Sequence, residues 1–180
     1  IASVREQQAD ARQNGYPYRA LGYWADWKVV TDLPGWLSLS ASVSTYEGGA
    51  HPNHAFDSIV WDKQANMRRD PLSLFTSKAA LSGVIRKEFC RLLDREREER
   101  RGEKIRPGSD NEFDKCIDPA ENTIILGSAT GKAFDRIGVL VAPYNAGPYA
   151  EGEYEVTLPV NDAVLAVVKP EFRPTFAVRR

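Results

Sequence analysis

The chain has 180 residues, 42% of them hydrophobic, and its 24 lysines and arginines nearly balance 25 aspartates and glutamates, for a formal net charge of -1. A near-neutral charge gives no general attraction to phosphate backbones, so we expect no nucleic-acid partner. No apolar run approaches the roughly 20 residues that cross a bilayer, so we expect no membrane span in this sequence, and the length suits one ordinary domain.

The first predicted element is a polar helix. Residues 4–13 are rich in Arg, Gln and Ala, and Gly15 and Pro17 follow them, which predicts a helix that ends before these two residues. We assign residues 1–19 to this helix, which could be the end of an upstream subdomain. Residues 20–180 are assigned to one α+β domain.

Three segments with strand-like alternation come next, at residues 23–30, 37–45 and 56–61, and the turns between them predict an antiparallel meander. The clearest alternation sets Leu37, Leu39, Ala41 and Val43 against Ser38, Ser40, Ser42 and Ser44. This pattern predicts a sheet with a buried leucine face and a solvated serine face. The four tryptophans of this region are either core side chains or an exposed platform for a sugar: Trp24, Trp27, Trp36 and Trp61.

Beyond Thr76 the apolar positions change to helical spacing, which predicts the principal helix of the chain. Its apolar stripe comprises Leu81, Val84, Ile85, Phe89 and Leu92. Thr76 or Ser77 could cap its start, and Gly102 would follow its end. Arginines and glutamates are interleaved between residues 86 and 106, which indicates a solvated helix end. We expect this helix to cover one face of the sheet.

The only two cysteines, Cys90 and Cys116, lie on this helix and in the polar, irregular segment 103–121 that follows it. They either form a bridge or remain two unrelated buried thiols. We favour the bridge, because the intervening stretch is so polar that little else would hold it in place. A bridge would imply an oxidising compartment.

Strands resume at residues 123–126, 137–141 and 153–158, which predicts a second three-stranded run. Asn161 offers an N-cap for a short helix through Val167, and the tail that begins at Pro170 is predicted to be extended. The predicted fold class is therefore α+β: an antiparallel meander sheet packed against one long helix, with a short C-terminal helix.

Both histidines of the chain lie in the glycine-containing loop after the second strand. One hypothesis is a metal-dependent enzyme that uses His51, His54 and Asp57. The other is a glycine-shaped turn in which His51 makes a fixed hydrogen bond. Because the loop lacks a second paired ligand motif, we expect no metal, no cofactor and no catalytic residues.

A second loop, at residues 143–152, contains prolines and glycines that restrict its shape, and it displays two tyrosines. Tyrosine rings lose little conformational entropy on binding, so they anchor sugar rings or protein grooves well. We predict that Tyr144, Asn145, Tyr149 and Glu151 contact a ligand. The alternative is that one tyrosine packs inward and the loop is only an ordered connection.

Three stretches of the sequence together resemble a bacterial domain of unknown function. Residues 46–53, Tyr-Glu-Gly-Gly-Ala-His-Pro-Asn, resemble its Tyr-x-Gly-Gly-Ala-His-Gly-Asn signature, with Pro52 in place of glycine. Residues 72–75 resemble its Leu-x-Asp-Leu-Phe segment before the main helix, and residues 141–152 resemble its Pro-Tyr-x-x-x-x-Tyr-Ala-x-Gly loop. The domain forms the extracellular part of RsiV-type anti-sigma factors and precedes the catalytic domain of some peptidoglycan deacetylases.

The resemblance implies a helix on an antiparallel sheet, a periplasmic or extracellular location, and often a lipid or membrane anchor upstream. In the RsiV type the domain binds lysozyme. Tyr144 and Tyr149 with their neighbours would be the contact loop, and Gly48, Gly49, His51 and Asn53 would be a structural signature. We therefore expect a non-catalytic envelope module that binds a protein such as lysozyme, or a glycan. The alternative is a metal-dependent peptidoglycan-modifying enzyme or its accessory domain.

Overall fold

The computed structural model describes residues 2–106 and 108–179. Its α-helices are α1 Ala2–Asn14, α2 Lys78–Arg101 and α3 Asp162–Val167. Its strands are β1 Gly22–Asp32, β2 Trp36–Tyr46, β3 Asn53–Asp62, β4 Met67–Arg69, β5 Thr123–Gly127, β6 Arg136–Val141 and β7 Tyr154–Pro159. Short 3-10 helices occupy Pro71–Leu74, Glu112–Asp114, Pro119–Glu121, Tyr149–Glu151 and Pro170–Thr175. No helix in these ranges is long and apolar enough to cross a membrane.

The strands form two antiparallel meander sheets, and the predicted α+β class is confirmed. The first sheet has the order β1-β2-β3-β4 and the second has the order β5-β6-β7. The long helix α2 lies against β7 and against the short C-terminal helix α3, so the sheet that it covers is the second one. Strand β4 was not predicted, because its three residues are too few to show an alternation.

Helix α2 begins and ends where its capping residues indicate. Of the two predicted caps, Ser77 is the one used: its hydroxyl accepts a hydrogen bond of 3.0 Å from the backbone N–H of Ala80. Side chains four residues apart lie on one face of a helix, and the buried stripe of α2 comprises Leu81, Ile85, Phe89 and Leu93. This stripe forms one hydrophobic core with the second sheet.

A disulfide fastens the irregular segment after α2 to the helix. It joins Cys90 to Cys116, whose Cα atoms are 5.5 Å apart. A hydrogen bond of 3.0 Å from Nη2 of Arg86 to the carbonyl oxygen of Cys116 lies beside it. The polar segment is therefore held by covalent and polar contacts with α2.

The prediction for the two faces of β2 is wrong, because the serine face is the one turned to the core. Ser38 is fully buried, and its neighbour across the strands, Val60, belongs to the core cluster. On the same face, the hydroxyl of Ser58 donates a hydrogen bond of 2.7 Å to the carbonyl oxygen of Ile124 in β5. The leucine face points the other way: Leu37, Leu39 and Val43 are only half-buried, and Ala41 is its one buried residue. The four tryptophans differ in exposure: Trp36 is buried, Trp61 is half-buried, and Trp24 and Trp27 are exposed.

The tail is not extended as predicted, since a 3-10 helix occupies Pro170–Thr175. Proline fixes φ near -65°, a value that suits a helical turn as well as an extended chain. The turn lets Phe172 pack edge-on against Trp36, with ring centroids 5.9 Å apart. Phe176 follows it into the core, beside Phe134.

Candidate functional site

Two loops that are about 90 positions apart in the sequence meet at one place on the surface. The first follows β2 and leads into β3, and the second connects β6 to β7. His51 Nε2 lies 3.1 Å from the hydroxyl of Tyr144, and His54 Nε2 lies 3.0 Å from the hydroxyl of Tyr149. The ring of His51 also stacks on Tyr149, with centroids 3.8 Å apart. We call these four residues the histidine–tyrosine cluster.

The first loop sets the position of both histidines. Gly48 and Gly49 each have φ near 101°, a conformation that residues with a Cβ rarely adopt, so the turn needs glycine at both positions. Nδ1 of His51 lies 2.9 Å from the carbonyl oxygen of Pro52 and donates to it, because a carbonyl can only accept. When the imidazole is neutral, its proton is on Nδ1, so Nε2 accepts a hydrogen bond from the hydroxyl of Tyr144.

Asn53, the last residue of the predicted signature, opens strand β3 and pairs with Thr45 of β2. This pairing fixes the register of β3 against β2. His54 follows it on the strand and is directed to Tyr149. The first loop therefore has two roles: its glycines form the turn, and its histidines contact the two tyrosines of the cluster.

Tyr144 is the most exposed member of the cluster and has an unusual backbone. Its φ is 71°, in the left-handed region, where a residue with a Cβ is strained by roughly 1 kcal/mol. Its side chain is 54% exposed. The loop thus holds a tyrosine ring open to solvent at an energetic cost, which is a feature more often found at functional sites than elsewhere.

A buried arginine supports the second loop from below. Arg97 of α2 is 0% exposed, and its Nε donates a hydrogen bond of 2.8 Å to the carbonyl oxygen of Ala146. Its other nitrogens donate to Asp94, at 2.9 Å, and to the carbonyl oxygen of Lys115, at 3.2 Å. One guanidinium therefore links the tyrosine loop, α2 and the segment that carries the disulfide.

A second arginine fixes the far end of the same loop. Arg101 donates hydrogen bonds to the carboxylates of Glu151, at 2.8 Å, and Asp114, at 2.6 Å. Tyr154 also hydrogen-bonds to Glu151. Gly147 leaves room for this carboxylate, because a Cβ at that position would collide with Oε2 of Glu151 and would force the side chain to move. Arg100 lies over the ring of Tyr154, 3.9 Å from its centroid.

These contacts shift the pKa values of the groups involved. Burial of Glu151 opposes its charged form, but the hydrogen bonds from Arg101 and Tyr154 outweigh it and hold the pKa of this carboxyl below its usual value. Burial, together with the bond to Glu151, raises the pKa of Tyr154 to about 12. The Glu151 carboxylate is thus used inside the protein, so the role that the structure indicates for it is to hold the loop.

A polar groove of about 330 Å³ adjoins Tyr144 through its neighbour Asn145. Nδ2 of Asn145 donates a hydrogen bond of 3.1 Å to Oδ1 of Asn122, and Lys78 and Glu121 form an ion pair of 2.8 Å along the same groove. Amide, ammonium and carboxylate groups therefore line a groove that includes Asn145, the residue after the exposed Tyr144. This combination of an aromatic face and convergent polar groups is typical of a ligand site.

The hypothesis of a metal site built from His51, His54 and Asp57 is wrong. His54 and Asp57 are an odd number of positions apart on β3, so their side chains point to opposite faces of the sheet. Asp57 lies 3.7 Å from Arg68 on its own face. Within residues 2–106 and 108–179, no three His, Cys, Asp or Glu side chains lie close enough to hold an ion.

Sequence reasoning identified both loops but not their contact, and it missed the supporting arginines. The interleaved charges predicted a solvated helix end, whereas Arg97 is buried and Arg101 is largely buried. A signal was present for Arg97, because it stands four residues after Leu93 and so continues the apolar stripe. Position on the stripe was the better guide to burial than charge.

Comparison with known proteins gives one family-profile match and six matching chains among solved structures, two of which follow. The family profile described as "Deacetylase PdaC" matches residues 1–54.

A DUF3298-family protein from Bacteroides fragilis is similar in structure, with a TM-score of 0.52 and 17% identity over 88% of this chain. The chain spans 59% of that protein's length. A DUF3298-family protein from Pseudomonas aeruginosa PAO1 has a TM-score of 0.52 and 16% identity, and the match covers 96% of this chain and 72% of that one. No curated protein matches the chain. The chain therefore has the fold of DUF3298-family proteins.

Proposed function

We propose that this chain is a binding or sensing module of the bacterial cell envelope, and that it recognises its ligand through the histidine–tyrosine cluster. The observation that carries the proposal is the exposed ring of Tyr144, held in a strained conformation beside His51 and a polar groove. Arg97 and Arg101 hold the loop in place before any ligand arrives. A pre-organised loop loses little entropy on binding, which favours recognition.

Two observations support a location outside the cytoplasm. The Cys90–Cys116 disulfide is of a kind that persists in oxidising compartments and is rare in the bacterial cytoplasm. The resemblance of the sequence to exported envelope domains points to the same place. The protein would work in the periplasm or at the cell exterior, with a lipid or membrane anchor upstream of the residues described.

The chemistry of the site favours a glycan of the envelope. A sugar ring stacks its apolar face on an exposed aromatic ring, and amides such as those of Asn122 and Asn145 bind its hydroxyls. The groove presents the two amides together, and Asn145 directly follows Tyr144 in the chain. A protein ligand such as lysozyme would use the same tyrosine as an anchor, so the test below distinguishes the two ligands.

The test is co-sedimentation of the purified chain with insoluble peptidoglycan, with binding to lysozyme measured in parallel. Tyr144→Ala is expected to weaken binding by about 2 kcal/mol, roughly 30-fold, because it removes a central aromatic anchor. Tyr144→Phe keeps the ring and should retain most of the affinity. Tyr23→Ala, at an exposed tyrosine on β1, is the matched control. Equal binding by the wild type and Tyr144→Ala would refute the site. Binding to lysozyme but not to peptidoglycan would show that the ligand is a protein and not a glycan.

A second candidate is an accessory role beside a peptidoglycan-modifying enzyme. It is favoured by the match of residues 1–54 to the profile described as "Deacetylase PdaC". An accessory domain would bind the glycan without altering it. Release of acetate from peptidoglycan by this chain alone would contradict the accessory role and make the chain itself an enzyme.

A further inference from the structure

Strand β1 forms an open edge of the first sheet. It pairs with β2 on one side, and in the described part of the chain no strand pairs with its other side. Its side chains are unusually exposed for their type: Tyr23 is 69% exposed, Trp24 56%, Trp27 46% and Val29 63%. An exposed, apolar edge strand with free backbone groups is a template for pairing with another strand.

We propose that this edge binds a second copy of the same chain, with the two β1 strands antiparallel and Trp27 on the two-fold axis. In such a pair the residues on either side of the axis face each other in reversed order. Asp26 then lies opposite Lys28 of the second copy, and Lys28 lies opposite Asp26 of the second copy. The product is one continuous sheet with the four strands of each copy.

Charge complementarity selects this register over its neighbours. Asp26 and Lys28 are on the same face of β1, 3.5 Å apart, and both side chains are exposed to solvent. Moving the axis to Asp26 would place two aspartates opposite each other, and moving it to Lys28 would place two lysines opposite each other. Like charges directly opposite each other destabilise a strand pair, whereas opposite charges stabilise it.

Apolar contacts on the other face favour the same arrangement. Trp27 would face Trp27 of the second copy, and Ala25 would face Val29. The cross-strand neighbours of these residues on β2 are Leu39, Ala41 and Val43, so an apolar surface would continue across the axis. The bulge between Val29 and Thr31 ends the regular edge, which limits the pairing to residues 25–29. The pairing uses no residue of the histidine–tyrosine cluster.

The test is the mass of the 180-residue chain by sedimentation equilibrium over a wide range of concentrations. The wild type is expected to approach twice its mass of 20.1 kDa as concentration rises. Asp26→Lys and Lys28→Asp should each weaken the dimer by about tenfold or more, since each variant places like charges opposite each other. An equimolar mixture of the two variants should restore the dimer, because every facing pair is then opposite in charge.

Cross-linking gives an independent measurement of the register. Cysteines opposite each other on the two-fold axis can form a disulfide, so Trp27→Cys should yield a covalent dimer under oxidation. Ala25→Cys is the control, because its two copies would lie too far apart to react. A wild type that stays monomeric up to the millimolar range would overturn the proposal. So would single variants that dimerise like the wild type, a mixture that stays monomeric, or efficient cross-linking through position 25.

Discussion

Arg97 marks the point at which burial and charge make opposite predictions for one residue. The spacing of Leu81, Ile85, Phe89 and Leu93 continues to position 97, and the structure places the guanidinium in the core. Burial of a charge is tolerated only where hydrogen bonds replace the lost water, and Ala146, Asp94 and Lys115 provide them. Asp94 lies three residues before Arg97 on α2, but Ala146 and Lys115 lie outside the helix and are distant in sequence, so the sequence alone could not indicate these two.

Replacement of Arg97 should therefore be costly. Arg97→Met is expected to lower the free energy of unfolding by about 3 kcal/mol, because it leaves Asp94 and two carbonyl oxygens without their donor. Urea unfolding measures the change. Arg91→Met on the same helix is the control, since Arg91 is exposed and pairs with Glu88 on the helix surface. Equal effects of the two substitutions would contradict the role assigned to Arg97.

Two serines on the core-facing side of the first sheet, Ser38 and Ser58, make a matched pair. The buried hydroxyl of Ser38 has no hydrogen-bond partner among the described residues, whereas that of Ser58 donates to Ile124. Ser38→Ala is expected to raise the free energy of unfolding by up to about 1 kcal/mol, and Ser58→Ala to lower it by about 1 kcal/mol. Thermal unfolding measures both, and loss of stability in both variants to the same extent would contradict the assignment.

At the scale of elements, alternation in β2 predicted a strand but not the face that it buries. A period of two distinguishes two faces, and which one becomes buried depends on how the sheet docks on its partner. The docking here runs through Ser58 and Thr123, whose hydroxyls bond to the carbonyl oxygens of Ile124 and Phe56. The helix boundaries were predictable because Ser77 and Gly102 act locally, through the backbone next to them.

The tyrosine loop should loosen in acid. The pKa of Glu151 is lowered in the folded protein, and that of Asp114 is lowered by its bonds to Ser109 and Arg101. A carboxyl with a lowered folded pKa binds fewer protons when folded than when unfolded, so its contribution is complete above its unfolded pKa and is lost as pH falls. The protection factors of the amides in residues 143–152, which correct for the intrinsic exchange rate at each pH, should fall below about pH 4.5. Glu151→Gln should remove part of this dependence, and an unchanged pH profile in that variant would contradict the assignment.

The disulfide should stabilise the same region. Its closed loop spans a sequence separation of 26, for which the loop-entropy relation gives about 3 to 4 kcal/mol. Replacement of both Cys90 and Cys116 by serine is expected to lower the unfolding free energy by this amount. Urea unfolding in the presence and absence of a reductant gives the comparison, and a reductant that changes nothing would indicate that the thiols are not joined.

At the scale of the whole molecule, each sheet was predictable as a meander. Which sheet packs against α2, and which one leaves an edge strand exposed, was not predictable. The second sheet and α2 bury each other's apolar faces, and the first sheet turns a serine face inward and leaves β1 open. Both loops of the histidine–tyrosine cluster were recognisable from their glycines, prolines and aromatic residues. Their meeting was not, because it depends on how the two sheets are placed together.

The most direct test of the proposed site is a titration of the isotope-labelled chain with soluble peptidoglycan fragments, followed by NMR. Chemical-shift changes are expected to concentrate at His51, His54, Tyr144 and Tyr149, and at Asn122 and Asn145 in the adjoining groove. Saturable changes at these residues would support recognition of a glycan by the cluster. Changes confined to β1 or spread without a focus, with the cluster unaffected, would contradict it.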